Sequence, residues 1–199
     1  MRIISGKFKS RLIDFPKSKL TRPMTDRTKE TLFNIVGSFV FGKHIRDRYA
    51  GSGSIGLEAL SRGALSATFV DRAPWAKSSI LKNLAALGLE REGLLLSMDV
   101  LAGIRKLDRT GRAFSLVFVD PPFDKGLVRK TLLKLDASEI VQPFGQVVVG
   151  HSNREAIPHE ELTKLKLVRT KKIGQASLSF LFRLESANEK TKSYISGEL

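Results

Sequence analysis

Four aspartates, Asp47, Asp71, Asp99 and Asp120, each stand where an apolar run gives way to a polar or glycine-rich stretch. A carboxylate at the end of a buried strand can accept hydrogen bonds from a sugar diol or an amine, or take up a proton. The last of the four opens Asp120-Pro121-Pro122-Phe123. Proline locks φ and has no N–H, so two in succession make a rigid loop offering carbonyl acceptors and one carboxylate without competing donors. Such a loop suits an amine attached to an aromatic base, a poor nucleophile because its lone pair is delocalised into the ring. Hydrogen bonds from that amine to Asp120 and to the Pro121 carbonyl would favour its pyramidal form and aim the lone pair at an electrophile. Phe123 would stack on the base, worth about 1–3 kcal/mol, and Asp120 could take a proton late.

A second pattern, Gly51-x-Gly53-x-x-Gly56, lies in RDRYAGSGSIGLEAL. It lets backbone approach a ligand closely at the start of a helix. Asp71 follows 20 residues after Gly51, where a ribose diol is expected. A dinucleotide and S-adenosylmethionine both fit these two features. Asp47, just before the loop, would repel a pyrophosphate and attract an amino or sulfonium cation, which favours the sulfonium cofactor. Asp99 suits either the cofactor's adenine amine or the N-cap of the helix that follows it.

Composition removes other chemistries. The 199 residues contain no cysteine, which excludes thiolate nucleophiles, Cys-ligated metals and disulfides. The three histidines, His44, His151 and His159, lack metal-ligand spacing, so no metal is expected. No apolar run is long enough to span a bilayer and the first residues lack a signal-peptide core, so a cytoplasmic protein with no membrane contact is expected. A net charge of +14 points to a polyanionic partner. Residues 1–29 hold nine basic and two acidic side chains, net +7, interleaved with apolar ones. That pattern reads as a folded nucleic-acid-binding surface.

Elements that could position these groups alternate along the chain. Residues 1–15 suggest one or two short strands ended by Pro16, followed by an amphipathic helix capped by Thr25 or Asp26 and running to Val40. Strands are then expected at about 44–49, 66–71, 94–98, 114–120 and 145–150, with helices at about 54–62, 74–87, 100–108 and 126–136 between them. This rhythm implies right-handed crossovers and a parallel α/β sheet covered on both faces. The runs 162–173 and 176–185, joined across Gly174, predict a terminal antiparallel hairpin. Residues 1–20 are read as a basic extension, 21–184 as the main domain, and 185–199 as a polar disordered tail. Nothing calls for a dimer, and a monomer is expected.

MRIISGKFKSR, TRPMTDRTKETLFN, AGSGSIGLEALSRGA, KNLAALGL, FVDPPF and KKIGQASLSFLF, covering about residues 1–184, resemble the bacterial RsmD-type methyltransferases. These act on the N2 amine of a guanosine in 16S ribosomal RNA. The segment TRPMTDRTKETLFN is the most specific part of the likeness. The resemblance implies a Rossmann-like class I methyltransferase fold with seven strands and a small N-terminal β-hairpin extension. It implies that Asp47, Ala50, Gly51, Ser52, Gly53, Asp71 and Asp99 bind S-adenosylmethionine and that Asp120, Pro121, Pro122 and Phe123 hold the guanine. Arg22, Thr25 and Arg27 would then lie at the site mouth, with Lys7 and Lys9 on the RNA side, and the substrate would be rRNA in an assembling small subunit. Amine methylation of DNA adenine or protein glutamine, and a non-catalytic RNA-binding assembly factor, are the competing readings.

The chain departs from the family pattern at two places. Its first strand reads Arg46-Asp47-Arg48-Tyr49 where relatives place apolar residues around the aspartate, and Gly150 stands where they tend to place glutamate. Positions 46 and 48 share a strand face, so both guanidiniums are expected to snorkel out or find partners, the alternative being a loosened first strand and weaker cofactor binding.

Overall fold

In the computed structural model, residues 1–15 and 24–185 are described. Pro16, Arg22 and the expected polar tail beyond residue 185 lie outside them. Among the described residues no helix is long and apolar enough to cross a membrane.

The expected alternation of strands and helices is present. The strands are β1 (His44–Arg48), β2 (Ser66–Asp71), β3 (Gly93–Ser97), β4 (Phe114–Val119), β5 (Val141–Ser152), β6 (Leu165–Ile173) and β7 (Ala176–Arg183). The helices are α1 (Asp26–Val36), α2 (Ser54–Ser61), α3 (Pro74–Leu87), α4 (Val100–Asp108) and α5 (Leu127–Asp136). One seven-stranded sheet has the order β3-β2-β1-β4-β5-β7-β6. The first five strands are parallel, and β7 and β6 close the sheet antiparallel. Strand order reverses between β1 and β4, and in such sheets the crevice beyond the strand ends at that point takes the ligand.

Two apolar layers cover the sheet. On one face α1, α2 and α3 bury Leu32, Phe33, Leu57, Ile80 and Leu84 against Ile45, Phe69, Phe118 and Val148. On the other, α4 and α5 bury Ile104, Leu107, Val128 and Leu132 against Val117, Val119, Val147 and Val149. All six residues of β4 are buried, as its unbroken apolar sequence requires of a strand covered on both faces.

Three boundaries differ from the sequence expectation. Helix α1 stops at Val36 because Gly37 adopts φ +58°, and residues to Val40 continue as a short 3-10 turn. Strand β5 begins earlier, at Val141, and accommodates an irregularity in its pairing with β4 between Phe114 and Leu116. The N-terminal segment forms no regular strand: Arg2 and Leu12 make a single antiparallel bridge. Its donors turn instead to α2. Glu58 accepts from the N–H groups of Ile4 (2.8 Å) and Ser5 (3.0 Å), and Ser61 Oγ accepts from that of Phe8 (3.0 Å). Ile3 and Ile13 are buried in the core this makes.

Candidate active site

Each glycine of the loop after β1 has a separate reason. Gly51 and Gly53 take φ +54° and +80°, the left-handed region that side chains disfavour, and Gly53 N–H donates to the Ala50 carbonyl (2.7 Å). Gly56 is steric: a Cβ there would lie 2.3 Å from the Phe69 ring. Asp47, on the strand face opposite Arg46 and Arg48, is buried under the loop, where its Oδ2 accepts from Gly56 N–H (2.9 Å). The Ser52 carbonyl is held by Asn83 Nδ2 (3.0 Å), which also donates to the Asp14 carbonyl.

Asp71 closes the loop from β2, accepting from Gly51 N–H at 3.0 Å and from Ala73 N–H at 2.9 Å. Asp99 is the N-cap of α4: one oxygen accepts from Leu101 and Ala102 N–H (2.9 and 3.1 Å). Of the two readings of Asp99, the structure shows the helix cap.

Asp120 follows β4 beside the loop, its N–H bonded to the Arg48 carbonyl (3.3 Å). Burial pushes its carboxyl up to about 6. Burial also raises Asp47, with the charges of Asp120 and Asp71 adding to the effect while the Gly56 hydrogen bond opposes it. The three carboxyl groups thus share one field. Pro121 is buried whereas Pro122 and Phe123 are exposed, so the loop is anchored at its base and presents an aromatic ring at its tip. Gly150, level with Asp120 on β5, leaves the space that this carboxylate uses: a Cβ there would come within 2.4 Å of Asp120 Oδ1.

Of the residues read as RNA contacts, Thr25 caps α1 by accepting from Thr28 N–H (3.2 Å). Its neighbour Met24 lies 3.4 Å from the same Cβ position at Gly150, which puts the start of α1 over the site. Arg27 and Lys9 line a shallow groove with Arg2 and Asp26. Lys7 is not gathered into the site. Its N–H bonds the Ser61 carbonyl (2.8 Å) at the far end of α2 from the glycine loop, and its ammonium sits over Phe8.

The arginines of β1 correct the sequence expectation. Arg46 and Arg48 are both fully buried, and neither snorkels out nor meets a carboxylate among the described residues. Arg46 stacks over the Phe114 ring (4.7 Å) with no hydrogen bond to its guanidinium. Arg48 reaches only the Val100 carbonyl, at 3.5 Å. The cause is topological: β1 lies between β2 and β4, and Ile45 and Asp47 occupy the other face, so residues 46 and 48 face the α4–α5 layer. Burial lowers the Arg46 guanidinium to about 9 and pushes Arg48 well down, with Arg46's charge adding to the shift.

Sequence reasoning missed two supports. Asn83, fully buried in α3, ties the loop to the N-terminal segment; a lone asparagine within an apolar helix stretch is its signal. Lys29, buried in α1, donates to the Arg2 carbonyl (2.7 Å) and Ser54 Oγ (3.2 Å) and pairs with buried Glu58 (3.4 Å). Both were visible only as members of motifs. Among the described residues no three His, Asp or Glu side chains gather as a metal site.

Proteins similar to this chain are found by sequence and by fold. A family model described as "Conserved hypothetical protein 95" matches residues 1–182. The Escherichia coli K12 "Ribosomal RNA small subunit methyltransferase D" is 38% identical over 138 residues, 68% of this chain and 67% of that protein. The solved structure of Escherichia coli yhhF superposes with a TM-score of 0.80 at 30% identity, covering 94% of this chain and 99% of that one. SMU.776, solved complexed with SAH, shares the fold at a TM-score of 0.67 and 18% identity, over 80% of this chain and 50% of that one. Matched by the family model over nearly its whole length, the chain belongs to the Conserved hypothetical protein 95 family, the RsmD-type methyltransferases.

Proposed function

We propose that the chain is an S-adenosylmethionine-dependent ribosomal RNA methyltransferase, acting on the N2 amine of a guanosine in the small-subunit RNA. The observation that carries this reading is the pairing of Asp120, pushed up to about 6 by burial, with an exposed Phe123 beside a glycine cradle. The named activity of the Escherichia coli relative supports the ribosomal substrate.

The residues present fit the cofactor. Gly51, Ser52 and Gly53 offer backbone at close range, and each Asp71 oxygen keeps acceptor capacity beyond its one N–H partner. Asp99's second oxygen can take the adenine amine. The charges of Asp120 and Asp71 add to the burial that raises Asp47, so a cationic ligand relieves this field where a pyrophosphate would worsen it. When bound, the cofactor supplies a methyl group on a cationic sulfur, which leaves as a neutral thioether.

The chain's residues then position the amine. Asp120 and the Pro121 carbonyl accept its two N–H groups, Phe123 stacks on the base, and the buried Pro121 keeps this loop from yielding. As the N–C bond forms and the S–C bond breaks, the amine becomes acidic and Asp120 takes its proton.

A second reading, an RNA-binding assembly factor without cofactor, is favoured by the two unpartnered guanidiniums directly before the cradle. Calorimetry with S-adenosylmethionine separates the two: micromolar binding is expected, and no heat at millimolar cofactor sinks the enzyme reading. Mass mapping of 16S RNA from cells with and without the protein then locates the methyl group. Loss of one N2-methylguanosine is the expected result, rescued by the wild type and not by Asp120→Ala.

A further inference from the structure

The strand farthest from the glycine loop on the Asp120 side, β6, is the outer edge of the sheet, with no strand beyond it among the described residues. Residues 162–173 include five basic side chains and no acidic one. Lys164 is neutralised by Glu139. Lys166, Arg169, Lys171 and Lys172 are exposed and have no ion pair among the described residues.

Register divides these cations between the faces. Arg169 pairs with Phe180 and Lys171 with Leu178, and both partners belong to the apolar layer under α1. Thr170 faces the other way, its Oγ1 against Ser179 Oγ (2.8 Å), and Lys172, two residues on and paired with Ser177, shares that face. Leu178 is opposite Gly150, which sits beside Asp120. At about 4.8 Å per strand, Lys171 lies about 10 Å from Gly150 and about 14 Å from the end of β4, on the face where Met24 and Thr25 overhang the site. This end of the hairpin is tied to the end of β5 through Asn153. Asn153 N–H donates to the Gln175 carbonyl (3.1 Å), its Nδ2 to the Gly174 carbonyl (2.7 Å), and its Oδ1 accepts from Ser177 Oγ (2.6 Å).

We infer that Arg169 and Lys171 form a second grip on the RNA backbone, holding phosphates that flank the base at Asp120. The inference rests on the ribosomal RNA reading. With the exposed Arg27 at the start of α1, it gives the α1 side of the sheet cations on two separate elements. Cations on an edge strand also protect against strand pairing, but that purpose is indifferent to face, whereas RNA binding is not.

The test uses the full chain, protein-free 16S RNA as probe, and a series of salt concentrations. In Arg169→Ala/Lys171→Ala the slope of log affinity against log salt becomes shallower by about 1.4–1.8, the release expected for two phosphate contacts. Affinity near physiological salt falls roughly tenfold, while the melting temperature and S-adenosylmethionine affinity stay at wild-type values. Lys172→Ala, on the opposite face, changes RNA affinity less than twofold, and Arg169→Lys/Lys171→Arg retains the wild-type slope. An unchanged slope, an equal loss from Lys172→Ala, or lost solubility with the slope intact overturns the inference. A wild type that binds RNA but not cofactor removes the enzyme reading and leaves this surface standing; one that binds no RNA removes both.

Discussion

Asp120 owes its proton affinity to burial and to no specific partner, and that has consequences that can be measured. A carboxyl titrating at about 6 is protonated in acid and then donates where it must accept, so kcat/KM is expected to fall tenfold per pH unit below about 6 and level off above it. Stability moves in the opposite sense. Between the unperturbed 3.8 and about 6 the folded chain binds this proton more tightly than the unfolded one, so Asp120's contribution is full below that window and is lost as pH rises through it. The same profile reads the role of Gly150. In Gly150→Ala the new Cβ would meet Asp120 Oδ1 at 2.4 Å, forcing the carboxylate towards solvent. The expected result is a roughly tenfold lower kcat, the size of effect for a displaced proton-handling group, with the acid limb shifted down towards 4. A profile flat from pH 5 to 8 in the wild type would remove Asp120 from the chemistry.

At the scale of the element, β1 is where local sequence and fold conflict. The alternation of Arg46 and Arg48 on one strand face was legible in the sequence, because a period of two needs only a strand assignment. Their lack of partners was not, since it depends on which helices cover that face and on β1 being third from one edge and flanked on both sides. Replacing buried charges by apolar residues of similar volume stabilises by about 1–4 kcal/mol. Arg46→Leu/Arg48→Leu is therefore expected to raise the melting temperature by roughly 5–10 °C, at about 2–4 °C per kcal/mol for a chain of this size. Tightening of cofactor binding should accompany it, because Arg48 leads directly into the cradle. Calorimetric melting with and without S-adenosylmethionine checks both; a melting temperature that falls would mean that the buried guanidiniums stabilise the strand and not strain it.

Across the whole molecule, the basic N-terminal segment is part of the core and not an appendage on it. Ile3 and Ile13 are buried, and Glu58 divides its two oxygens among Lys29, Arg62 and the N–H groups of Ile4 and Ser5. Burying each isoleucine contributes about 1.5–3 kcal/mol, and stripping partners from a buried ion pair costs about 3–5 kcal/mol. Deleting residues 1–15 is expected to abolish cooperative thermal unfolding by circular dichroism, where a separable RNA-binding arm would leave the melt unchanged and weaken only RNA affinity. The sequence by itself determined the strand and helix order, the glycine loop, the Asp120 loop and the two odd positions, because these rest on periodicity, turn chemistry and short motifs that act over a few residues. Only the tertiary structure decided that Asp99 caps α4, that Lys7 lies away from the site, that Gly150 makes room for Asp120, and that Arg46 and Arg48 are buried alone. Each of those depends on which distant segments the sheet order brings together, and burial and pairing belong to that juxtaposition, not to any one stretch of chain.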